Sequence, residues 1–297
     1  MAFLPILFVI LWSSAFISAK AIMADATAFA SLALRFGLVS LGFLIAYGLL
    51  QQKQWLTRRQ MGHAAITGLL LHGFYLGGVF WALSHGMSAT IAALIASLQP
   101  IFVALLATAT LGEKISAIQW TGIAMGFTGA VLVIGFDFGT TIPVMAVAVC
   151  FGALGASIAG TLYQKRFGQD LPMVPANIMQ ALAATILHIM LIGLFETPQI
   201  TVSSSFIIGM TWQIVAVSFG AYVMLLFLLQ KGTANQTSSL LFLVAPVAAI
   251  QAWLLLGEAI YAIDIIGLCL ASIGVYFATR KTSGRKTSGR KTSAIGR

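Results

Sequence analysis

Ten long apolar runs, separated by short polar or charged clusters, limit what this chain can fold into. They cover roughly residues 3–19, 28–50, 61–83, 88–110, 115–136, 143–163, 173–195, 206–229, 234–256 and 259–279. A helix needs about 20 apolar residues to cross the hydrocarbon core of a bilayer, and the runs are close to that length. Only 8% of the residues are charged, against 60% hydrophobic, where a soluble domain carries about 25% charge. Too few polar side chains exist to cover a water-facing surface, so the apolar excess must face lipid. The sequence predicts an all-α membrane protein of ten transmembrane helices. What remains between the runs suffices for loops and short ends, not for a separate catalytic domain. The first run resembles a signal peptide, with Ala19-Lys20-Ala21 as a small-x-small site, but no basic stretch precedes it and it is read as a helix.

The net charge of +9 suggests nucleic acid until its distribution is inspected. Seven of the 16 Lys and Arg residues lie from Arg280 onward, in a repeated Arg-Lys-Thr-Ser-Gly tail. Residues 280–297 therefore read as a disordered, low-complexity cytoplasmic extension. Such a tail suits anionic lipid headgroups, at about 1 kcal/mol per basic residue near the surface. The rest of the chain is nearly balanced, so no nucleic-acid partner is expected. With the N-terminus placed in the cytoplasm, Lys53, Arg58, Arg59, Lys114, Lys165, Arg166, Lys231 and the tail all fall inside. No outside loop holds a Lys or Arg, while Asp25, Asp137, Glu196, Glu258 and Asp264 fall outside. This pattern obeys the positive-inside rule at every crossing and predicts an even number of spans with both termini cytoplasmic.

The chain also repeats itself. Glu113, Gly122 and Gly129 recur 145 residues later as Glu258, Gly267 and Gly274, and Leu111-Gly112-Glu113 recurs as Leu256-Gly257-Glu258. Gly86 and Pro100 recur 146 residues later as Gly232 and Pro246. A duplicated five-helix unit is predicted, with residues 1–140 as the first copy and 141–279 as the second. Five crossings leave the second copy starting on the opposite side, so the copies should be inverted about an axis in the membrane plane. Inverted repeats suit alternating access around a central site.

These residues carry a family resemblance. Ile91-Ala-Ala-Leu-Ile-Ala-Ser-Leu-Gln-Pro100, Leu111-Gly112-Glu113, Gln119-Trp120-x-Gly122 and Gly126-x-x-Gly129 resemble the EamA-type transporters of the drug/metabolite transporter superfamily. Leu11-Trp12-Ser13-Ser14-Ala15-Phe16 and Leu34-Arg35-Phe36 fit the same pattern. The resemblance implies ten helices with both termini cytoplasmic, in a cell membrane such as the bacterial inner membrane. It implies, most often, export of amino acids or other small metabolites. The second copy departs from the pattern in its first helix, where small residues of 153–161 stand in place of a Trp.

No catalytic constellation is visible. His63, His72, His85 and His188 lack metal-ligand spacing, Cys150 and Cys269 show no paired motif, and no carboxylate falls near a bilayer centre. Neither enzyme activity nor a cofactor or metal is expected. Arg35 is the one charge well inside a predicted span, where an Arg costs about 2.5–3.5 kcal/mol on insertion scales. Two readings stay open: contact with substrate or a gate, or a snorkelled, helix-locking role. In the seventh run Asn177, Gln180 and His188 fall on one helical face, and in the third His72 and Tyr75 share a face by i, i+3 spacing. For His72 and His188 an interhelical hydrogen bond is the alternative to substrate contact. Trp12, Ser14 and Phe16, with Ser218 and Tyr222, could complete the lining. Pro100 and Pro246 occupy equivalent mid-run positions, as hinges or static kinks. The glycines around 122–129 and 267–274 suit close packing within the fold or between protomers.

The missing buried acid matters for substrate class, because carriers of cations and many proton-coupled pumps need one. Neutral, zwitterionic or carboxylate-bearing small molecules fit better, with Arg35 as the carboxylate partner. The sequence leaves open an importer or exchanger of another metabolite, such as a nucleotide sugar or vitamin precursor. It also leaves open a membrane scaffold that docks proteins through its tail.

Overall fold

The computed structural model describes residues 3–51, 54–102, 105–106, 116–135, 143–168, 170–221, 224 and 243–279. Within them the chain is helical, and the only pairing of extended backbone is an isolated bridge between Ala26 and Ile200. Ten helices follow in order: α1 (Phe3–Ile22), α2 (Ala28–Leu49), α3 (Arg58–Ser84), α4 (Ala89–Phe102), α5 (Ala117–Gly135), α6 (Val144–Phe167), α7 (Met173–Phe195), α8 (Ser204–Ala221), α9 (Val244–Leu256) and α10 (Ala262–Thr279). Six of them, α1, α2, α3, α6, α7 and α8, are long and apolar enough to cross a membrane. Each falls on one of the predicted runs. Where ends differ, local capping explains some of the shift. Thr57 and Gln60 form a reciprocal capping box that starts α3 three residues ahead of the apolar run. Glu113, Asp137, Lys53, Lys114, Lys231 and the tail lie outside the described residues.

Large apolar side chains cover the outer surface, among them Leu41, Leu44, Ile45, Ile186, Ile189, Met190, Leu254 and Leu255. The interior is built from small residues, with Ala82, Ala89, Ala92, Ala93, Ala184, Ala248 and Ala252 fully or almost fully buried. In lipid no hydrophobic force draws helices together, so close van der Waals approach must do so, and small residues permit it. The pairing of α5 with α10 shows this most directly. A Cβ on Gly122 would overlap the backbone at Gly274 and Ala278, and one on Gly129 would overlap the backbone at Gly267 and Ala271. One on Gly126 would instead meet Ile101, while one on Gly274 would strike the Gly126 backbone. The two helices run antiparallel, and the glycine stripe is consumed inside the fold. Exchanging each of Gly122 and Gly129 with its counterpart 145 residues later leaves the contact pair unchanged, as a twofold-related pair requires.

The loops segregate onto two faces. On one, Thr27 N–H donates to the Gln199 carbonyl at 3.0 Å and Ser203 Oγ donates to Asp25 Oδ2 at 2.6 Å, tying the α1–α2 loop to the α7–α8 loop. On that face Glu196 accepts the Phe29 N–H at the start of α2, and Glu258 accepts the Ala89 and Thr90 N–H groups at the start of α4. Acids thus sit on the positive ends of helix dipoles and satisfy donors that lipid could not. Lys20 does the converse: its Nζ donates to the carbonyls of Leu83 and Met87, at 2.8 and 2.9 Å, beside the C-terminal end of α3. On the opposite face Leu56, Ala64 and Ala176 pack with Met61, Leu171 and Met179, joining the α2–α3 and α6–α7 loops. The helix-end basic residues Arg58, Arg59, Lys165 and Arg166 belong to this second face.

Both prolines fall just after a non-helical residue, Leu98 within α4 and Leu243 ahead of α9. A turn at Leu98 interrupts α4 just ahead of Pro100, and Pro246 occupies the first turn of α9. A missing N–H is tolerated in a first turn, which explains why the helical segments begin there.

Candidate functional site

The N-caps set the register between the repeats. Thr27 before α2 corresponds to Pro172 before α7, 145 residues on, and Thr57 before α3 corresponds to Ser203 before α8, 146 on. Under that register α2 matches α7 and α3 matches α8. The widened segments of α3 and α8 overlap under this register. Helix α3 contains a wide π-type segment at Leu69–Tyr75, and α8 contains one at Trp212–Ala221. A π segment inserts an extra residue per turn and re-aims the side chains that follow, and it recurs at functional sites.

Arg35 lies in the first half of α2, two turns from its start, and is 5% exposed. Its Nε and Nη2 donate to Ser218 Oγ at 3.3 and 3.1 Å, and the Ser218 hydroxyl donates in turn to the Gln213 carbonyl at 2.9 Å. Its guanidinium carbon also stands 5.2 Å from the centroid of the Phe36 ring. Among the described residues no carboxylate pairs with it. A buried cation held by one hydroxyl retains most of its five donors for another partner. Snorkelling is not the arrangement here, since the side chain is enclosed and anchored to α8.

Gln180 of α7, 4% exposed, occupies the position equivalent to Arg35, and His72 of α3 the position equivalent to Ser218. The Gln180 side chain lies close to the His72 ring, so neutral groups stand in the second pair where the first has a cation and a hydroxyl. A Cβ on Gly68 would overlap the Gln180 backbone, which shows how closely α3 passes α7 just before its π segment. His188 is fully buried and its Nε2 lies 3.2 Å from the His72 carbonyl. That bond requires the proton on Nε2, leaving Nδ1 as an acceptor, and Nδ1 has no partner among the described residues. His188 stacks at 6.1 Å with both Phe29 and Phe36, and Phe36 also faces His72 at 5.1 Å.

The predicted stripe of α7 is thus divided. Gln180 and His188 meet at His72, but Asn177 turns its Nδ2 back to the Met173 carbonyl of its own helix. His72 and Tyr75 do not share a face: His72 looks to α2 and α7, whereas Tyr75 lies beside Cys150 of α6. The physical reason is the π segment, in which i, i+3 neighbours separate instead of aligning. Ser14 donates to the Leu11 carbonyl and accepts the Trp212 Nε1–H at 2.7 Å. Trp12 packs on Phe8 at 5.4 Å, and Phe16 is buried in the core. Tyr222 lies outside the described residues.

Two residues escaped the sequence reading. Trp212 and Gln213 open the π segment of α8, and Gln213 Nε2 donates to the Ala15 carbonyl and to Ser18 Oγ on α1. Gln213 is fully enclosed, and its Oε1 has no partner among the described residues. A buried Gln in an apolar run is a legible signal in hindsight, because lipid would not tolerate it facing outward.

A multi-pass helical bundle of two matching five-helix halves, with a buried cation where α2 meets α8, has the form of a membrane carrier. The EamA-like transporter family model matches residues 1–135 and again 144–280, and the chain belongs to that family, within the drug/metabolite transporter superfamily. The chain is similar to the "Uncharacterized transporter YvbV" of Bacillus subtilis (strain 168), 22% identical over 187 residues. That match spans 62% of this chain and 61% of the relative. A crystal structure titled only "Crystal structure of protein" shares the fold, with a TM-score of 0.66 at 19% identity, over 93% of this chain and 96% of the other.

Proposed function

We propose that this transporter works by alternating access between two inverted repeats and exports amino acids or similar small zwitterionic or neutral metabolites from the cytoplasm. The observation that carries the substrate class is Arg35, enclosed at the meeting of α2 and α8 with one hydroxyl partner and no carboxylate among the described residues. A buried guanidinium without a counter-ion is a ready partner for a carboxylate, which it binds through two parallel N–H donors. The inverted arrangement is supported by the antiparallel, exchange-symmetric contact of α5 with α10 and by the matched π segments of α3 and α8. One conformation exchanged between such halves generates the opposite opening. Membership of a transporter family supports movement of a small solute, and the positive-inside bias supports cytoplasmic termini in a cell membrane of the bacterial inner-membrane type.

The test is flux. Full-length protein in liposomes is expected to move radiolabelled amino acids down an imposed gradient. No movement across a broad panel of amino acids and small metabolites would overturn the reading. Right-side-out and inside-out vesicles, compared at equal gradients, distinguish export from import.

A further inference from the structure

Resting on the carboxylate reading of Arg35, we propose that Gln180 and His72 form the second half of a bipartite substrate site, receiving the hydrogen-bond-donating end of a solute whose carboxylate is held by Arg35, itself positioned by Ser218. Three observations meet here. Gln180 stands where the repeat places Arg35, and His72 where it places Ser218, so the two couples are pseudo-twofold mates on α7–α3 and α2–α8. Each couple bears on a π segment, the device that brings these side chains out of helical register. Beside the second couple, the Nδ1 acceptor of fully buried His188 has no partner among the described residues. An unmade hydrogen bond in a low-dielectric interior is costly, so an acceptor left free there is suited to a donor that arrives with the solute.

Charge distinguishes the halves. The first couple offers a cation, whereas the second offers an amide and imidazoles with acceptor atoms and no formal negative charge. The pair therefore recognises N–H or O–H donors by hydrogen bonding, without an ion pair. A solute with a carboxylate at one end and an amine or hydroxyl at the other fits both halves. A quaternary amine retains the positive charge but has no donor, so it satisfies the first half alone.

Binding to purified full-length protein, measured calorimetrically in detergent, tests this with four probes. They are an aliphatic α-amino acid, its α-hydroxy analogue, its N-trimethyl derivative and the parent acid lacking the α-substituent. The amino and hydroxy acids are expected to bind at least about tenfold tighter than the other two, the equivalent of one well-made hydrogen bond. An N-trimethyl derivative as tight as the amino acid would overturn the proposal, because charge would then be what is read. Gln180→Leu should reduce the preference, read as the ratio of amino-acid to parent-acid affinity, to about threefold or less; an unchanged preference in folded protein would also overturn it. Should that variant fail to fold, the wild-type series alone decides. In the double variant R35Q/Q180R, carboxylate binding lost in R35Q is expected to return. Failure of every carboxylate probe to bind the wild type would instead defeat the Arg35 reading, a result distinct from binding without donor preference.

Discussion

Arg35 and Gln180 occupy the same position in the two repeats, 145 residues apart, and both are buried on helices that pack against each other. One is a permanent cation and the other a neutral amide, so an architecture that is symmetric in backbone is polarised at its centre. Electrostatics in a low-dielectric interior magnify such a difference. Under the proposed two-ended site, this difference would set the orientation of the solute.

Replacing Arg35 by Ala should abolish the carboxylate contact while sparing the apolar lining. Hydrogen bonds to a charged group contribute about 1.5–3 kcal/mol, so carboxylate-bearing solutes are expected to lose roughly tenfold or more in affinity. Neutral analogues should change far less. Equal loss for both classes, read from proteoliposome uptake, would assign Arg35 to the fold.

The α5–α10 contact makes a sharp prediction about stability. Gly122→Ala places a methyl against the Gly274 and Ala278 backbone, where overpacking costs about 1–3 kcal/mol. Gly193→Ala meets nothing within 4 Å and should be silent. Thermal unfolding in detergent separates them, and equal midpoints would show that α5 and α10 can move apart without penalty.

Lys20→Met removes two charge-assisted bonds to the Leu83 and Met87 carbonyls. A loss of about 2 kcal/mol in stability is expected, with little change in solute preference, because the amine closes helix ends and does not face Arg35. A selective change in substrate range at unaltered stability would place Lys20 in the transport path.

Glu258→Ala uncovers the Ala89 and Thr90 N–H groups and the Thr90 hydroxyl. Losing such a cap costs about 0.5–2 kcal/mol, and the midpoint of unfolding should fall accordingly. Glu258→Gln retains one acceptor and should recover part of that loss.

Deleting residues 280–297 should leave flux intact, since every proposed site residue precedes them. Weaker association with anionic vesicles is the expected consequence, measured by co-flotation. Loss of all activity with normal membrane insertion would point to a docking role for the tail.

Much of this protein is legible in its sequence. Ten apolar runs become ten helices because a lipid solvent demands that each backbone donor be satisfied within its own segment. The repeated Gly122, Gly129, Gly267 and Gly274 foretell close packing, and lone Arg35 foretells a buried polar site, since few side chains tolerate that depth without purpose. The pairing of His72 with Tyr75 could not be read correctly, because periodicity assumes an unbroken 3.6-residue helix and α3 widens at Leu69–Tyr75. Trp212 and Gln213 lie where α8 widens, and their partners on α1, Ser14, Ala15 and Ser18, are set by helix docking that no single run encodes.

Segment by segment, then, the sequence determined the spans, their helical state and the duplication, which are local consequences of hydropathy, backbone hydrogen bonding and repetition. The tertiary structure decided which polar groups meet: Arg35 with Ser218, Gln180 and His188 with His72, the glycines of α5 with those of α10. Those partners lie up to 183 residues apart, and they are selected by how helices dock and where a π segment rotates a face. No pattern along a single helix carries that information.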